Sequence, residues 1–194
     1  MTDIRNVCVY CGSSGRVDDV HKIAATRLGE VMAQEGVGLV YGGGRVGLMG
    51  LVADAVFKGG APVVGVIPHF LDQLEVANPN CTELIRTDTM HARKTVMAER
   101  SDAFVVLPGG FGTLDEAFEI LTWRQLKLHA KPVVIVNIAG YWDPLLVLID
   151  RMVESGFARE ENRKLFAVVD RVEDVLPELR KAPEPQVDVR TKWL

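Results

Sequence analysis

Short, valine-rich apolar runs, separated by longer segments of helical periodicity, restrict the fold of this chain more than any other feature. The clearest examples are "NVCVY", "VGLVYGGG", "APVVGVIP", "AFVVLPGG" and "KPVVIVN". Runs that are apolar throughout, rather than in alternation, are typical of parallel strands with both faces buried. The sequence therefore predicts an α/β fold, with a doubly wound, Rossmann-like parallel sheet flanked by helices.

The predicted elements follow one another without an interdomain linker, so we expect residues 1–180 to form a single domain and residues 181–194 a surface tail. We predict strands at residues 6–10, 37–44, 61–68, 103–110 and 131–137 and, from weaker patterns, at 83–87 and 165–170. We predict helices at residues 18–36, 47–60, 90–101, 113–128, 143–156 and 171–180, and a loop at 69–82. The first helix is expected to turn Ile23, Leu28, Val31 and Met32 toward the core.

Charge and composition limit the possible partners and cofactors. The net charge of −4 gives no basic excess for a nucleic-acid backbone, so DNA and RNA are not expected as partners. No apolar run has the length of a signal peptide or a membrane span, and we expect a cytoplasmic protein that binds no membrane. Cys8 and Cys11 form a C-x-x-C pair, but Cys8 lies inside a predicted strand, and Cys81 does not complete a zinc site with them. We therefore expect neither a metal nor a cofactor.

Three predicted strands end in glycine- or serine-rich sequence, namely "CGSSG", "YGGGRVG" and "LPGGFGTLDE". Ligands of doubly wound sheets bind beyond the carboxyl ends of the strands, where N–H groups at a helix N-terminus can hold a phosphate. The candidate phosphate-binding residues are Ser13, Ser14, Gly43, Gly44, Gly109, Gly110, Gly112 and Thr113. The alternative is that these runs only make tight turns, and for "CGSSG" the residues do not decide between the two.

The run "YGGGRVG" also matches the dinucleotide-binding pattern G-x-G-x-x-G. That pattern requires an acidic residue about 20 positions further on to bind the ribose 2′-hydroxyl. The next strand ends in "GVIPHF", which contains no acid, and Asp54 comes too early. A nicotinamide cofactor is therefore disfavoured, whereas phosphate binding by the glycine turn is favoured.

The run "PGGFGTLDE" is the strongest signal, because it places carboxylates beside a candidate anion site. A helix that begins at Thr113 would allow Thr113 and Glu116 to form a capping box, which is one role for the acid. A catalytic role for Glu116 is the other, and a cap alone does not need the preceding glycines. The residues by themselves leave both roles of Glu116 open.

The segment "MHARK" opens another predicted helix with two cations in its first turn. Arg93 and Lys94 are unfavourable there, because the helix N-terminus carries a partial positive charge. An anionic ligand, or carboxylates from another loop, would compensate for this placement. The alternative is an ordinary pair of solvated side chains.

These motifs together resemble the LONELY GUY (LOG) family of cytokinin riboside 5′-monophosphate phosphoribohydrolases, often labelled lysine decarboxylase-like. "PGGFGTLDE" fits the family pattern P-G-G-x-G-T-x-x-E, and "MHARK" fits the Met-x-x-Arg-Lys segment upstream of it. "VYGGGRVGLMG", "GVIPHFL" and "KPVVIVNIAGYWDPLL" are also similar, so the resemblance covers residues 5–170. Small departures at Arg45 and Asp115 concern base specificity. Decarboxylation would require pyridoxal phosphate on a Schiff-base lysine, a setting that this chain does not offer.

The resemblance implies a nucleotide-binding domain that hydrolyses the N-glycosidic bond of AMP or prenylated AMP, releasing the base and ribose 5-phosphate. It implies Glu116 and Arg93 as catalytic residues. The substrate-binding residues would be Ser14, Gly43, Gly44, Glu75, Met90, Lys94, Gly109, Gly110, Gly112, Thr113 and Thr122. It also implies a homodimer. The main alternative is a binding protein without catalysis, like molybdenum-cofactor carriers, which would need the glycine loops but not the pair of Arg93 and Glu116.

Overall fold

The computed structural model describes residues 3–72 and 77–181, and its strands form one parallel sheet of seven strands. The strands are β1 (Asn6–Tyr10), β2 (Gly38–Tyr41), β3 (Val63–Pro68), β4 (Glu83–Thr87), β5 (Ala103–Val106), β6 (Val133–Val136) and β7 (Ala167–Val169). Their order in the sheet is β4-β3-β2-β1-β5-β6-β7. The predicted fold class is confirmed.

Helices cover both faces of the sheet. They are α1 (Asp19–Gln34), α2 (Gly47–Lys58), α3 (His69–Asp72), α4 (Met90–Glu99), α5 (Phe111–Gln125), α6 (Asp143–Glu154) and α7 (Val175–Lys181). Short 3-10 turns lie at Ile138–Gly140, Glu160–Leu165 and Val172–Asp174. Buried residues of α1, α2 and α7 share one apolar core, and those of α4 and α5 share the other.

Each central strand contributes to both cores, which explains why the strand sequences are apolar throughout. In β1, Val7 and Val9 join the core under α1 and α2, whereas Cys8 and Tyr10 join the core under α4 and α5. All four are at most 2% exposed. Burying a large apolar side chain contributes about 1.5–3 kcal/mol to stability. A polar residue would therefore destabilise the fold at any position of the strand, whichever face of the sheet it points to.

The topology creates a crevice between β1 and β5. From β1 the chain adds β2, β3 and β4 on one side, and then returns to place β5 on the other side of β1. The connections after β1 and β5 therefore run to opposite faces, and a crevice opens above the carboxyl ends of these two strands. The runs "CGSSG" and "LPGGFGTLDE" follow these two strands directly.

The first helix and the predicted loop at 69–82 differ in detail from the sequence prediction. Ile23 was expected to face the core but is 67% exposed. The buried face of α1 instead includes Gly29, where an added Cβ would lie 2.6 Å from the Cβ of Ala55. Small residues are selected there because α1 and α2 pack closely. The predicted loop at 69–82 contains α3, and a bridge pairs Ala77 with Gly44.

Candidate active site

A cavity of about 240 Å³ lies where the loops after β1 and β5 meet the beginning of α5. Its lining residues are Cys11, Gly12, Ser13, Met49, Arg93, Gly110, Phe111, Gly112, Thr113 and Glu116. The cavity therefore brings together residues from both faces of the sheet at the crevice that the strand order predicts. Two of the motifs found in the sequence meet here, since both the run "PGGFG" and Arg93 of α4 contribute to the lining.

The helix α5 begins at Phe111, so the prediction that it begins at Thr113 is wrong. Gly110 is the N-cap in an extended conformation, with φ −99° and ψ −151°. Glycine is acceptable at this position, which allows the helix to start two residues early. Thr113 is thus the third helical residue, and Glu116 lies beyond the first turn. The capping box is wrong for this reason, and Glu116 is available for another role.

The start of α5 places backbone N–H groups beside the cavity. The first four N–H groups of a helix have no partner within it, and here they belong to Gly110, Phe111, Gly112 and Thr113. All four residues line the cavity. The positive end of the helix dipole adds to the attraction for an anion. This arrangement has the properties of a phosphate-binding site.

Glu116 is a buried carboxyl group on the wall of the same cavity, and its side chain is 13% exposed. Burial raises its pKa from 4.5 to about 7, because a charged carboxylate is poorly solvated there. The nearby charge of Arg93 works in the opposite direction, and that of Asp115 adds to the increase. An Arg93 Nη1 atom lies 4.0 Å from Glu116 Oε1. Glu116 therefore changes charge near neutral pH.

The guanidinium of Arg93 is held by two backbone carbonyls, one in β3 and one directly after β2. Nε donates to the carbonyl of Val66 and Nη2 to the carbonyl of Gly42, each at 3.0 Å. A Cβ added to Gly42 would lie 2.1 Å from Nη2, so this glycine makes room for the arginine. The remaining nitrogen, Nη1, faces Glu116. Arg93 is thus held in place before any ligand binds.

The other two glycines of this run have structural reasons as well. Gly43 has φ +77°, a left-handed conformation that strains other residues. Gly44 forms the bridge to Ala77. The cavity lining, as far as the described residues define it, includes neither Gly43 nor Gly44, so their predicted contact with substrate stays a prediction.

Lys94 lies beside Arg93 but forms different contacts. Its ammonium is 3.1 Å from Asp115 Oδ2 and 3.0 Å from Glu119 Oε1. Burial acts to lower the pKa of Lys94, but hydrogen bonds with Glu119 and Asp115 outweigh it and raise the pKa. The cations in the first turn of α4 are therefore compensated by carboxylates of α5. Lys94 stands outside the cavity lining, and its predicted contact with substrate also stays a prediction.

Three other predicted residues that the structure describes, Ser14, Met90 and Thr122, are not among the lining residues of the cavity. Ser14 is exposed, and its hydroxyl accepts a hydrogen bond from the Arg16 amide at 3.2 Å. The sulfur of Met90 is 3.8 Å from Arg93 Nη1. Thr122 is exposed further along α5. Glu75 lies outside the described residues.

Gly109 packs closely against Thr113 and Gly12, two residues of the cavity lining. A Cβ added to Gly109 would lie 2.1 Å from the hydroxyl oxygen of Thr113 and 2.9 Å from the Gly12 amide nitrogen. The candidate run "CGSSG" contributes Cys11, Gly12 and Ser13 to the lining, and sequence reasoning missed Met49 and Phe111. Each of these two lies in the first turn of a helix at the edge of the sheet where such folds bind ligands, and this position was the available signal.

The described residues contain neither a cluster of potential metal ligands nor a membrane-spanning helix. Within residues 3–72 and 77–181, no three side chains of His, Cys, Asp or Glu are grouped as a metal site would require. Burial raises the pKa of the Cys8 and Cys11 thiols, so neither is a ready thiolate ligand. No helix in the described part of the chain is both long and apolar enough to cross a membrane.

The fold and the cavity define a class of protein: an α/β protein whose cavity combines helix N-terminal amides with a buried carboxyl group. A family model described as "Possible lysine decarboxylase" matches residues 49–179. "Probable cytokinin riboside 5'-monophosphate phosphoribohydrolase LOGL5" of Oryza sativa subsp. japonica is 44% identical over 184 residues, which are 95% of this chain and 75% of that relative. "Cytokinin riboside 5'-monophosphate phosphoribohydrolase LOG1" of Arabidopsis thaliana is 43% identical over 184 residues, 91% of this chain and 86% of that relative. The chain belongs to this family, the LONELY GUY phosphoribohydrolases.

A solved structure with the same fold is the molybdenum cofactor carrier protein of Chlamydomonas reinhardtii. Its TM-score is 0.70 at 20% sequence identity, and the match covers 93% of this chain and 98% of the carrier. At this identity the likeness shows the fold alone. The carrier-like alternative is therefore not favoured over the enzymes, which are much closer in sequence.

Proposed function

We propose that this protein hydrolyses the N-glycosidic bond of adenosine 5′-monophosphates, plain or modified at N6, and releases the base and ribose 5-phosphate. The observation that carries the proposal is the placement of Glu116 on the same helix as the cavity's free amides, one turn further on. A nucleoside monophosphate has its phosphate and its anomeric carbon at opposite ends of one sugar. The cavity offers an anion site for the phosphate and, one helical turn away, a carboxyl group for the anomeric carbon.

The 5′-phosphate binds at the start of α5. The amides of Gly110, Gly112 and Thr113 donate to its oxygens, and the absence of a Cβ on Gly109 leaves room for the Thr113 side chain. This contact is remote from the bond that breaks. Its binding energy positions the sugar and lowers the entropic cost of reaction.

The ionised carboxylate of Glu116 faces the anomeric carbon. As the bond from C1′ to the base nitrogen breaks, its electron pair leaves with the base, and positive charge develops on the ribose. A carboxylate in a poorly solvated site stabilises that charge strongly. Water then adds to C1′, and the proton that it loses is balanced by the proton that the base gains.

Arg93 orients Glu116 and favours its charged form. Hydrogen bonds to two backbone carbonyls fix the guanidinium, so it need not reorganise during the reaction. Without this cation, burial would keep the carboxyl group protonated over a wider pH range. Arg93 also stands close enough to the cavity to assist the departing base.

The remaining predicted residues complete the substrate site in this proposal. The cavity volume of about 240 Å³ accommodates a ribose phosphate better than a whole nucleotide, since ligand pockets commonly span about 300–1,000 Å³. The base would therefore extend beyond the described lining. The residues assigned to the wider site are Ser14, Gly43, Gly44, Glu75, Met90, Lys94, Gly109 and Thr122.

We also propose that the protein is a homodimer and acts in the cytoplasm. Large apolar side chains are exposed on and after α6, where Val147 is 66% and Phe157 is 87% exposed, and a second copy would cover such a surface. Free thiols at Cys8, Cys11 and Cys81 agree with a reducing compartment. Light scattering after size-exclusion chromatography tests the dimer, and cell fractionation tests the compartment.

The activity is tested with AMP and N6-isopentenyladenosine monophosphate as substrates. We expect free base and ribose 5-phosphate in equal amounts, with kcat/KM reduced roughly 10²–10³-fold in Glu116→Gln. The matched control is Asp115→Asn, which removes a neighbouring carboxylate outside the cavity lining and should change kcat/KM only a few-fold. Binding of both nucleotides without cleavage would contradict the proposed function. Unchanged cleavage by Glu116→Gln would contradict the role of that residue.

A further inference from the structure

The peptide carbonyls before α5 are held from several directions. The hydroxyl of Tyr141 donates to the carbonyl of Gly109 at 2.7 Å. The carbonyl of Pro108 accepts a hydrogen bond from the Gly12 amide at 3.0 Å, and that of Gly110 accepts one within the first turn of the helix. Residues from three parts of the chain thus hold three successive carbonyls. Tyr141 is the one side chain among these donors.

The bond from Tyr141 determines which way one of the cavity amides points. The carbonyl of Gly109 and the N–H of Gly110 belong to the same planar trans peptide, so they point in opposite directions. Gly110 lines the cavity. Two consecutive glycines have more conformational freedom than any other pair, and a free peptide between them could rotate. The hydroxyl of Tyr141 opposes that rotation.

Tyr141 is itself presented by a tightly constrained turn after β6. Ala139 and Gly140 have left-handed φ values of +53° and +72°. Such a conformation is unfavourable for alanine and persists where the surroundings enforce it. Asn137 does so through its side chain, whose oxygen accepts a hydrogen bond from the Trp142 amide at 2.7 Å. The turn therefore holds Tyr141 in one place, at a conformational cost.

The ring of Tyr141 is also fixed by its neighbours. It packs edge-on against His21 at 5.5 Å and against Trp142 at 4.8 Å between ring centroids. We propose that Tyr141 is a positioning residue for the phosphate site, whose hydroxyl holds the Gly109–Gly110 peptide so that the Gly110 N–H faces the 5′-phosphate of the substrate. This inference rests on the proposed function for the identity of the ligand.

The test is Tyr141→Phe, which removes the hydroxyl and keeps the ring. The loss of one orienting hydrogen bond should raise KM for AMP roughly three- to tenfold and leave kcat within about twofold. The dissociation constant of ribose 5-phosphate, measured by calorimetry, should rise by the same factor. The matched control is Tyr41→Phe, which loses a hydroxyl 3.5 Å from the Cys81 sulfur and should keep the parental constants.

The calorimetric titration separates this inference from the proposed function. If the parent protein binds ribose 5-phosphate but cleaves no nucleotide, the hydrolase function is wrong, and weaker binding by Tyr141→Phe still supports the positioning role. Equal binding of ribose 5-phosphate by Tyr141→Phe and the parent overturns the positioning role, whatever the activity. A fall in kcat at unchanged KM overturns it too, because the hydroxyl would then act in the chemical step.

Discussion

Two glycine runs at the same edge of the sheet look alike in sequence and serve different purposes. After β2, the space at Gly42 is filled by the Arg93 guanidinium, and Gly43 makes a left-handed turn. After β5, an added Cβ on Gly110 or Gly112 would meet no atom of the described chain within 4 Å. The first run is occupied by the protein itself, whereas the second is open beyond Gly109, whose space Thr113 fills. Glycine content therefore does not identify a phosphate loop. What identifies it is whether the space that a Cβ would take up is filled by the protein or is open.

The largest expected effect concerns the buried acid that follows the open run. The pKa of Glu116 rises from 4.5 to about 7 on folding, so the folded protein binds this proton more tightly than the unfolded chain. Its contribution to stability is present below pH 4.5 and is lost as the pH rises through 7. Glu116→Gln removes this titration. Above pH 7, the free energy of unfolding of the variant should therefore exceed that of the parent by on the order of 3 kcal/mol.

Urea unfolding at pH 4 and pH 8 checks this prediction. The two proteins should be nearly equal at the lower pH, where both side chains are neutral and similar in shape. The kcat/KM of the parent should rise with pH toward a plateau above about pH 7, where Glu116 is ionised. A stability difference that is the same at both pH values would contradict a buried, titrating Glu116.

The next effect tests the filled run. In Gly42→Ala the new methyl group would stand 2.1 Å from Arg93 Nη2, so the guanidinium must move away from two carbonyls and from Glu116. We expect a loss of about 1–3 kcal/mol of stability from overpacking. Because Arg93 is displaced from Glu116, kcat/KM should fall to the level of Arg93→Ala measured in the same assay. Calorimetric melting and steady-state kinetics measure the two effects, and normal values of both would contradict the assigned packing.

The open run should respond in the opposite way. Gly112→Ala meets no steric obstacle in the described residues, and alanine favours a helix over glycine, so stability should increase by up to about 1 kcal/mol. The phosphate, however, would lose its close approach to the amide. We therefore expect KM for AMP to rise about tenfold, which is about 1.4 kcal/mol. Parental KM in Gly112→Ala would show that the phosphate binds elsewhere.

The smallest effect concerns Lys94 of α4, which pairs with Asp115 and Glu119 of α5. Its positive charge lowers the pKa of Glu116, so Lys94→Met should move the midpoint of the pH profile upward. Activity at pH 6 should fall a few-fold while the plateau changes little. Lys131→Met is the matched control, since that ammonium binds the Ala98 carbonyl at the far end of α4. A fall in the plateau without a change of midpoint would favour direct substrate contact by Lys94.

The fold and half of the site followed from the sequence. Continuous apolar runs predicted buried parallel strands, and even the weakly patterned strands β4 and β7 were found where expected. The position of Glu116 after "PGGFG" and of Arg93 in "MHARK" led to both side chains of the central pair. The start of α5 was missed, because Thr113 and Glu116 satisfy a capping pattern while Gly110 permits an earlier beginning.

What could not be predicted depends on contacts between distant residues. Nothing in "YGGG" indicates that its first glycine accommodates an arginine 51 positions later in the chain. The neighbours Arg93 and Lys94 look equivalent in sequence, yet one reaches the sheet and Glu116, and the other pairs with Asp115 and Glu119. Their different directions follow from the turn of α4 and from the helix that packs beside it.

The sequence alone determined the layered fold, the edge of the sheet where the glycine runs lie and the residues that carry a carboxylate and a cation to that edge. Local pattern suffices for this, because strand burial and helix periodicity are set by near neighbours in the chain. Only the tertiary structure decided which glycine run stays open, which cation lies beside the buried carboxyl group of Glu116, and that Tyr141 donates a hydrogen bond to the loop before α5. These depend on the strand order, which brings the segments after β1, β5 and β6 together over one crevice.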